Sequence, residues 1–340
     1  MATYRGEKVR SCYATCSIGH KKEHDLPAKL EAISEAGFEA IELSMPDILS
    51  YGQQTIGKEV DPKDYATLKH VGQEIRKLCE QHRLHILMLQ PFANFEGWPE
   101  GSDERNDAFD RAKGWSGIME AIGSSDAPNI TGEFDRLAAD LAELADIFAK
   151  KKQRIAYENW CWATHAPDWK DVWTIVQKAD RSNIGLCLDT FQSAGGEWAD
   201  PRTSSGRVEK DDVDSAWQKS LRDLAATVPP EKIFLLQISD AYKMETPIKD
   251  EVDESGTRPR GQWSHDYRPL PYDGGYLPVE DFTRAVLNTG FWGWFSMEVF
   301  DGKAPEKYPD DMGPYAQKAM IAMKKLLQNC ATTEEVADVV

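Results

Sequence analysis

The sequence predicts an α/β protein of the (β/α)8 TIM barrel type, and three observations support this prediction. Short apolar runs alternate with amphipathic stretches of roughly ten to twenty residues along most of the chain. The runs are apolar on both faces, as expected of parallel strands with helices outside and a packed interior inside. A length of 340 residues suits one such barrel with long loops. No linker, repeat or composition break divides the chain, so we predict a single domain over residues 1–340.

Seven of the eight strands are clear in the sequence. In order, the predicted strands cover 11–18, 40–45, 84–89, 154–158, 184–189, 233–237 and 294–299. Amphipathic stretches lie between them: residues 26–36 form a predicted helix that Gly37 ends as its C-cap, residues 64–82 form a long one, and residues 134–149 carry an apolar stripe. This order of elements is that of consecutive βα units.

The fourth strand is the uncertain element. Residues 117–123 must serve both as the end of a helix and as this strand, so we expect the strand to be shortened and to leave a weak seam between the third and fifth strands. Two stretches without periodicity, about 93–130 and 241–278, are predicted long loops. They follow the third and seventh strands and therefore lie at the C-terminal face of the barrel, where active sites are built.

Composition excludes several classes of protein. There are 40 Lys and Arg against 57 Asp and Glu, and the net charge of -17 disfavours binding to nucleic acids and to anionic membrane surfaces. No apolar run is long enough to span a membrane, and the N-terminus lacks the apolar region of a signal peptide. We therefore expect a cytoplasmic protein. Its six cysteines read as core thiols, with Cys12 and Cys16 facing the same way on one strand.

Four predicted strands end with an oxygen ligand: Glu158, Asp189, Gln237 and Glu298. An acidic side chain between apolar residues is costly unless it is paired or bound to a cation. The C-terminal ends of successive barrel strands converge on the barrel mouth, so the four side chains are expected to lie together. A set made only of oxygen ligands suits a hard divalent cation such as Mg²⁺ or Mn²⁺.

Acid–base and substrate-binding residues carry weaker signals. His165 follows the fifth strand and His20 the first, so these are the first and second candidates for a catalytic base. Trp162 is a candidate pocket wall. Loop arginines could bind a substrate carboxylate through a bidentate fork, and the candidates are Arg207, Arg260 and Arg268.

Several motifs carry a resemblance to a known family. They are Leu89-Gln-Pro-Phe92, Tyr157-Glu158 with Cys161-Trp162, Gly185-Leu-Cys-Leu-Asp-Thr-Phe191, Ala199-Asp-Pro201, Ser205-Gly-Arg207, Trp263-Ser264 and Gly275-Tyr-Leu-Pro-Val279. Together they resemble the fungal 3-dehydroshikimate dehydratases of quinate catabolism, within the xylose-isomerase-like sugar phosphate isomerase/epimerase superfamily. The resemblance runs from about residue 12 to residue 300.

The resemblance implies a lyase that removes water from 3-dehydroshikimate, a small carboxylate, to give protocatechuate. It implies a divalent cation, Mg²⁺, Mn²⁺ or Co²⁺, and its ligand set carries over onto Glu158, Asp189, Gln237 and Glu298. Gln90, within the Leu89–Phe92 motif, joins the predicted substrate-binding residues. A homo-oligomer is compatible with the sequence.

The sequence departs from relatives at two places besides the fourth strand. Some bacterial relatives carry a candidate base where this chain has Trp160 and Gln192, which leaves the base unassigned. Residues 268–274 differ from the usual loop over the pocket, which could change the substrate. Three alternatives therefore stay open: a sugar or hydroxy-ketone isomerase or epimerase of the same superfamily, a non-catalytic relative, and an endonuclease of related fold, which the charge disfavours.

Overall fold

Eight parallel strands close into a barrel in the computed structural model of the chain, which describes residues 3–4, 7–116, 120–123 and 126–330. In chain order the barrel strands are β1 (Arg10–Ala14), β2 (Ala40–Ser44), β3 (His85–Phe92), β4 (Glu120–Gly123), β5 (Ile155–Glu158), β6 (Ile184–Asp189), β7 (Ile233–Ile238) and β8 (Trp294–Met297). Each strand pairs with its neighbours in sequence, and β8 pairs with β1 to close the ring. The predicted fold class is confirmed.

Helices cover the outside of the barrel and its mouth. They are α1 (Leu26–Glu35), α2 (Met45–Ile56), α3 (Tyr65–Gln81), α4 (Asp103–Trp115), α5 (Phe134–Ala149), α6 (Trp169–Ala179), α7 (Thr190–Glu197), α8 (Val213–Thr227), α9 (Pro259–Asp266), α10 (Val279–Asn288), α11 (Ala304–Lys307) and α12 (Gly313–Cys330). Neighbouring helices such as α5 and α6 pack together. The two regions predicted as long loops therefore contain structure, since α4 and β4 lie in the first and α9 lies in the second. No described helix has the length and apolar character needed to cross a membrane.

The first strand is shorter than predicted. It ends at Ala14, and Thr15–Ser17 form a 3₁₀ turn in place of the expected extension to residue 18. The hydroxyl of Thr15 accepts a hydrogen bond from the backbone N–H of Ser44 at 3.0 Å, and that of Ser17 accepts from Val299 N–H at 2.9 Å. These bonds attach the turn to the C-terminal ends of β2 and β8, at the barrel mouth. The prediction that Cys16 shares a strand with Cys12 is therefore wrong.

The fourth strand is present and closes the barrel. It pairs with β5 in four partner pairs, from Glu120 with Ile155 to Gly123 with Glu158. Its described pairing with β3 is sparser, because the register shifts between the pairs Leu89–Glu120 and Phe92–Ile122. The expected seam thus lies on the β3 side, and β5 has no free edge. Residues 117–119 of the predicted segment lie outside the described residues.

The barrel interior has two layers of different character. Near the N-terminal ends of the strands, Met88, Ala156, Cys187 and Leu235 form an apolar layer. Side chains alternate between the two faces of a strand, so the residue two places further along points inward again. In β5, β6 and β7 those residues are Glu158, Asp189 and Gln237, which form a polar layer directly above the apolar one.

Candidate metal centre and active site

A buried polar layer fills the C-terminal end of the barrel. It consists of Glu42, Gln90, Glu158, Asp189, Gln237 and Glu298, each less than 9% exposed. The layer contains all four ligands that the sequence predicts and adds Gln90, which was predicted to bind substrate. It also contains Glu42, which the sequence analysis did not identify.

Three carboxylates of this layer form a triad. Glu158, Asp189 and Glu298 each offer an oxygen, and these atoms lie within 4.8 Å of one another. Burial raises the pKa of Asp189 to about 7. Burial, reinforced by the charge of Glu298, raises the pKa of Glu158 well above its usual value. Such shifts mean that three negative charges are unfavourable here unless a cation compensates them.

One carboxylate oxygen of the triad, Glu158 Oε1, is the best placed to contact a cation. Glu158 Oε1 is buried and makes no hydrogen bond within the part of the chain that the structure describes. Its other oxygen, Oε2, accepts a hydrogen bond from the indole N–H of Trp160 at 3.2 Å. A buried carboxylate oxygen without a partner is costly, and an ion would satisfy it. The donor set, three hard carboxylates, is one that divalent cations use.

Arg268 bridges two members of the triad. It is 1% exposed, and its Nη2 contacts Asp189 Oδ2 at 2.5 Å and Glu298 Oε2 at 3.1 Å. Its Nε donates to Ser239 Oγ and its Nη1 to Ser264 Oγ. One guanidinium nitrogen therefore faces the protein's own carboxylates, while the other two face serine hydroxyls. The role that the sequence suggested, binding a substrate carboxylate, stays a prediction.

The amide of Gln237 faces the triad with its nitrogen. Nε2 donates to Glu298 Oε1 at 3.0 Å and to Glu42 Oε2 at 2.9 Å, and Oε1 accepts from the Cys187 thiol at 3.1 Å. The structure thus brings Gln237 beside the predicted ligands but presents a donor on that side. Its role as a ligand stays a prediction.

Glu42 was not predicted as a site residue, although its sequence pattern is the one that identified the triad. It lies between Ile41 and Leu43 within β2, which is the same pattern of an acid among apolar residues that identified the triad. The predicted ligands lie at strand ends, whereas Glu42 lies inside β2, which continues to Ser44. Burial, followed by the charge of Glu298, raises the pKa of Glu42 to about 8.

His20 lies in a cavity of about 250 Å³ at the barrel mouth. The cavity also reaches Cys16 and Val299; Val299 follows Glu298 in sequence, and none of the triad is among the cavity's described lining. Both ring nitrogens of His20 are buried and have no hydrogen-bond partner among the described residues. Burial, with the adjacent His24, lowers the pKa of His20. A neutral imidazole at this place could accept a proton.

His165, the other predicted base, contacts the chain around residue 130, and its role as a base stays a prediction. Its Nε2 lies 3.1 Å from the carbonyl oxygen of Ile130, and its ring packs beside Gly132. Trp162, a predicted pocket wall, is 8% exposed and stacks on Trp160 with ring centroids 5.1 Å apart. Trp160 donates to Glu158, so the two indoles form an aromatic wall on that side of the triad.

The remaining predicted arginines lie elsewhere. Arg207 pairs with Asp214 and stacks over Trp198, about a third exposed. Arg260 donates to the carbonyl oxygens of Gly195 and Ala199 and holds the loop after α7. The described structure does not bring either side chain to the triad.

A second, larger cavity is not the centre of the chemistry. It measures about 1180 Å³ and is lined by the starts of β3 and β5, including His85 and Arg154. These residues lie at the N-terminal face of the barrel, and none of the triad is among its described lining. In barrels of this kind the active site lies at the opposite face.

The raised pKa values predict how stability depends on pH. The pKa values are about 7 for Asp189 and about 8 for Glu42, so the folded chain holds these protons more tightly than the unfolded chain. The free energy of unfolding of the metal-free protein is therefore expected to fall as pH rises from about 5.5 to about 8. Denaturation in chelator at both pH values measures this. A divalent cation should stabilise more at the higher pH, and a stability that rises with pH in chelator would contradict the expectation.

The fold and the site together define a class of protein: a (β/α)8 barrel with a candidate metal centre of buried carboxylates at its C-terminal face. The chain belongs to the xylose isomerase-like TIM barrel family, whose model matches residues 30–325.

Relatives and solved structures agree with this assignment. The chain is 29% identical to a 3-dehydroshikimate dehydratase of Neurospora crassa over 90% of both chains. It is 31% identical to a 3-dehydroshikimate dehydratase of Pseudomonas aeruginosa over 81% of this chain, which spans 36% of that longer protein. The solved structure of the IolI protein with a bound zinc atom superposes with a TM-score of 0.67 at 19% identity, covering 96% of this chain and all of that one.

Proposed function

We propose that this chain is a metal-dependent 3-dehydroshikimate dehydratase that forms protocatechuate. The observation that carries the proposal is the buried triad with an unpartnered Glu158 oxygen at the barrel mouth. The Neurospora and Pseudomonas relatives, both 3-dehydroshikimate dehydratases, support the choice of reaction.

The reaction removes an α-proton and a β-hydroxyl from a cyclic hydroxy ketone, and the ring then becomes aromatic by tautomerisation. Such a reaction needs stabilisation of the enolate oxygen, a base for the proton and an acid for the departing hydroxyl. A bound divalent cation supplies the first as a Lewis acid. Glu158, Asp189 and Glu298 would hold it. We propose Mg²⁺, Mn²⁺ or Co²⁺, since the ligands are oxygens.

Each of the other side chains would have a task that its contacts support. Trp160 orients Glu158 through its indole N–H, and Trp162 supports the ring of Trp160 by stacking. The two indoles offer a flat apolar wall to the substrate ring. Of the three predicted arginines, Arg268 lies beside the triad, so its charge would attract an anionic substrate into an acidic protein.

We propose His20 as the proton-transfer group, because both of its ring nitrogens are buried and without a partner among the described residues. Positions 160 and 192, where some relatives have a candidate base, hold Trp160 and a Gln192 whose side-chain oxygen accepts from Cys161 N–H. We expect His20→Gln to lower kcat by about 10²- to 10⁴-fold while metal binding is retained. His165→Gln is the matched control and should stay close to the wild type. Equal losses in both variants, or none in His20→Gln, would contradict the assignment.

The proposed function is tested by removing and restoring the metal. Purified protein is stripped with chelator, loaded separately with Mg²⁺, Mn²⁺ or Co²⁺, and incubated with 3-dehydroshikimate while the absorbance of the aromatic product is followed. Turnover that requires a divalent cation is the expected result. Folded protein that gives no product with any of these ions would refute the proposal.

A further inference from the structure

Four side chains of the polar layer, one of which belongs to the triad, form a hydrogen-bonded ring. Gln90 Nε2 lies 2.9 Å from Glu42 Oε2 and 3.0 Å from Glu298 Oε1. Gln237 Nε2 lies at the same two distances from the same two oxygens. The two amides therefore bridge the two carboxylates, and Glu298 is the ring member that also belongs to the triad.

The donors in this ring are fully used. A primary amide has two N–H hydrogens. Each amide nitrogen here faces one oxygen of Glu42 and one of Glu298, so both hydrogens have an acceptor. The oxygen of Gln237 accepts from the Cys187 thiol, which fixes the direction of that amide. Turning the amide would place its oxygen against two carboxylate oxygens, so Glu42 and Glu298 together determine its orientation.

Glu42 enters the ring from the middle of a strand that is paired on both sides. It lies within β2, is fully buried, and belongs to a strand paired on both sides by β1 and β3. Gln90 comes from β3, Gln237 from β7, and Glu298 follows β8. One carboxylate oxygen of Glu42 thus links side chains from both sides of the barrel mouth.

We infer that Glu42 is a positioning residue of the metal centre: it fixes the amides of Gln90 and Gln237, and these hold the Glu298 carboxylate in the geometry of a ligand. The inference rests on the proposed function of the triad. Glu298 Oε1 receives both amide donors and Oε2 receives Arg268, so both oxygens of this carboxylate are held by donors. Loss of such outer contacts weakens metal binding by about 10- to 100-fold in other metalloproteins.

The test compares a variant that lacks the hydrogen-bond acceptor at position 42 with a variant that keeps it. Glu42→Leu deletes the acceptor, while Glu42→Gln keeps an amide oxygen that can still accept from both amides. Asp140→Leu is the matched control, because Asp140 is a buried carboxylate on α5 that accepts from Gly97 N–H and Arg105, and its described partners include no member of the ring or the triad. For each variant, Mn²⁺ affinity is measured by electron paramagnetic resonance, the visible spectrum of the Co²⁺ form is recorded, and kcat and KM are determined separately.

We expect Glu42→Leu to raise the Kd for Mn²⁺ by about 10- to 100-fold and to shift the Co²⁺ spectrum. Glu42→Gln should stay within about threefold of the wild type, because its oxygen still accepts. At saturating metal, Glu42→Leu should lower kcat more than it raises KM. Asp140→Leu should lose stability and keep its Mn²⁺ affinity and its Co²⁺ spectrum.

Unchanged Mn²⁺ affinity and Co²⁺ spectrum in Glu42→Leu would overturn the inference, whatever happens to its stability. If Glu42→Leu does not fold, Gln90→Leu serves instead, since it removes one bridging amide and leaves Glu42 in place; unchanged Mn²⁺ affinity there would overturn the inference equally. Failure of the proposed function is a separate result and is read on the wild-type protein, which would then give no product from 3-dehydroshikimate or bind no Mn²⁺ at the triad.

Discussion

Asp189→Asn is expected to lower kcat/KM for dehydration by about 10³-fold or more. The change keeps the shape of the side chain and removes a charge from the triad, where Asp189 lies within 4.8 Å of its partners. Lewis-acid stabilisation of a developing enolate contributes several kcal/mol, and each 1.36 kcal/mol corresponds to about tenfold in rate. Product absorbance measures the rate, and Mn²⁺ titration in the same samples measures the loss of binding.

Asp140→Asn provides the comparison for this prediction. Asp140 is as deeply buried as Asp189, but its partners are Arg105 and Gly97 on the outer side of the barrel. The control should retain turnover within a few fold. Activity in Asp189→Asn within about tenfold of the wild type would mean that the triad does not hold the metal.

Arg268→Met is expected to reduce the free energy of unfolding of the metal-free protein by about 3–5 kcal/mol near neutral pH. The side chain is buried between Asp189 and Glu298, and removing one partner of a buried ion pair leaves an uncompensated charge. Chemical denaturation in chelator measures the change. Because a divalent cation supplies positive charge at the same carboxylates, added Mn²⁺ should restore much of the lost stability.

Two control variants accompany the prediction for Arg268→Met. Arg268→Lys keeps the charge and loses the planar fork, so its loss should be intermediate. Arg207→Met, on an exposed pair with Asp214, should change stability by less than about 1 kcal/mol. A loss in Arg268→Met as small as that in Arg207→Met would show that the triad does not need this cation.

The regular parts of the fold were accessible to sequence reasoning because strand and helix periodicities are local. The run 184–188 is apolar and could be assigned as a strand whose next residue, Asp189, points into the mouth. The end of β1 could not be assigned in this way. Its 3₁₀ turn depends on bonds from Thr15 and Ser17 to residues far along the chain.

The candidate site likewise combines features that depend on local sequence with features that depend on packing. A strand position determines which way Glu158 or Asp189 faces, so their convergence followed from the alternation of side chains. The contacts of a long side chain depend on packing. Three loop arginines looked equivalent in sequence, and only their surroundings distinguish the buried Arg268 from the exposed Arg207. The direction of the Gln237 amide likewise depends on the Cys187 thiol and Glu42.

The pairing of β8 with β1 has a consequence for how the protein is made. Trp294 pairs with Arg10 and Met297 with Tyr13, so the first barrel strand waits for the last before the barrel can close. Until then the edge of β1 lacks this partner, and such edges favour association with other chains. Glu298 follows β8 directly, so the triad is completed only when all eight barrel strands have been synthesised. We therefore expect metal uptake to follow barrel closure and not to guide the folding of the earlier βα units.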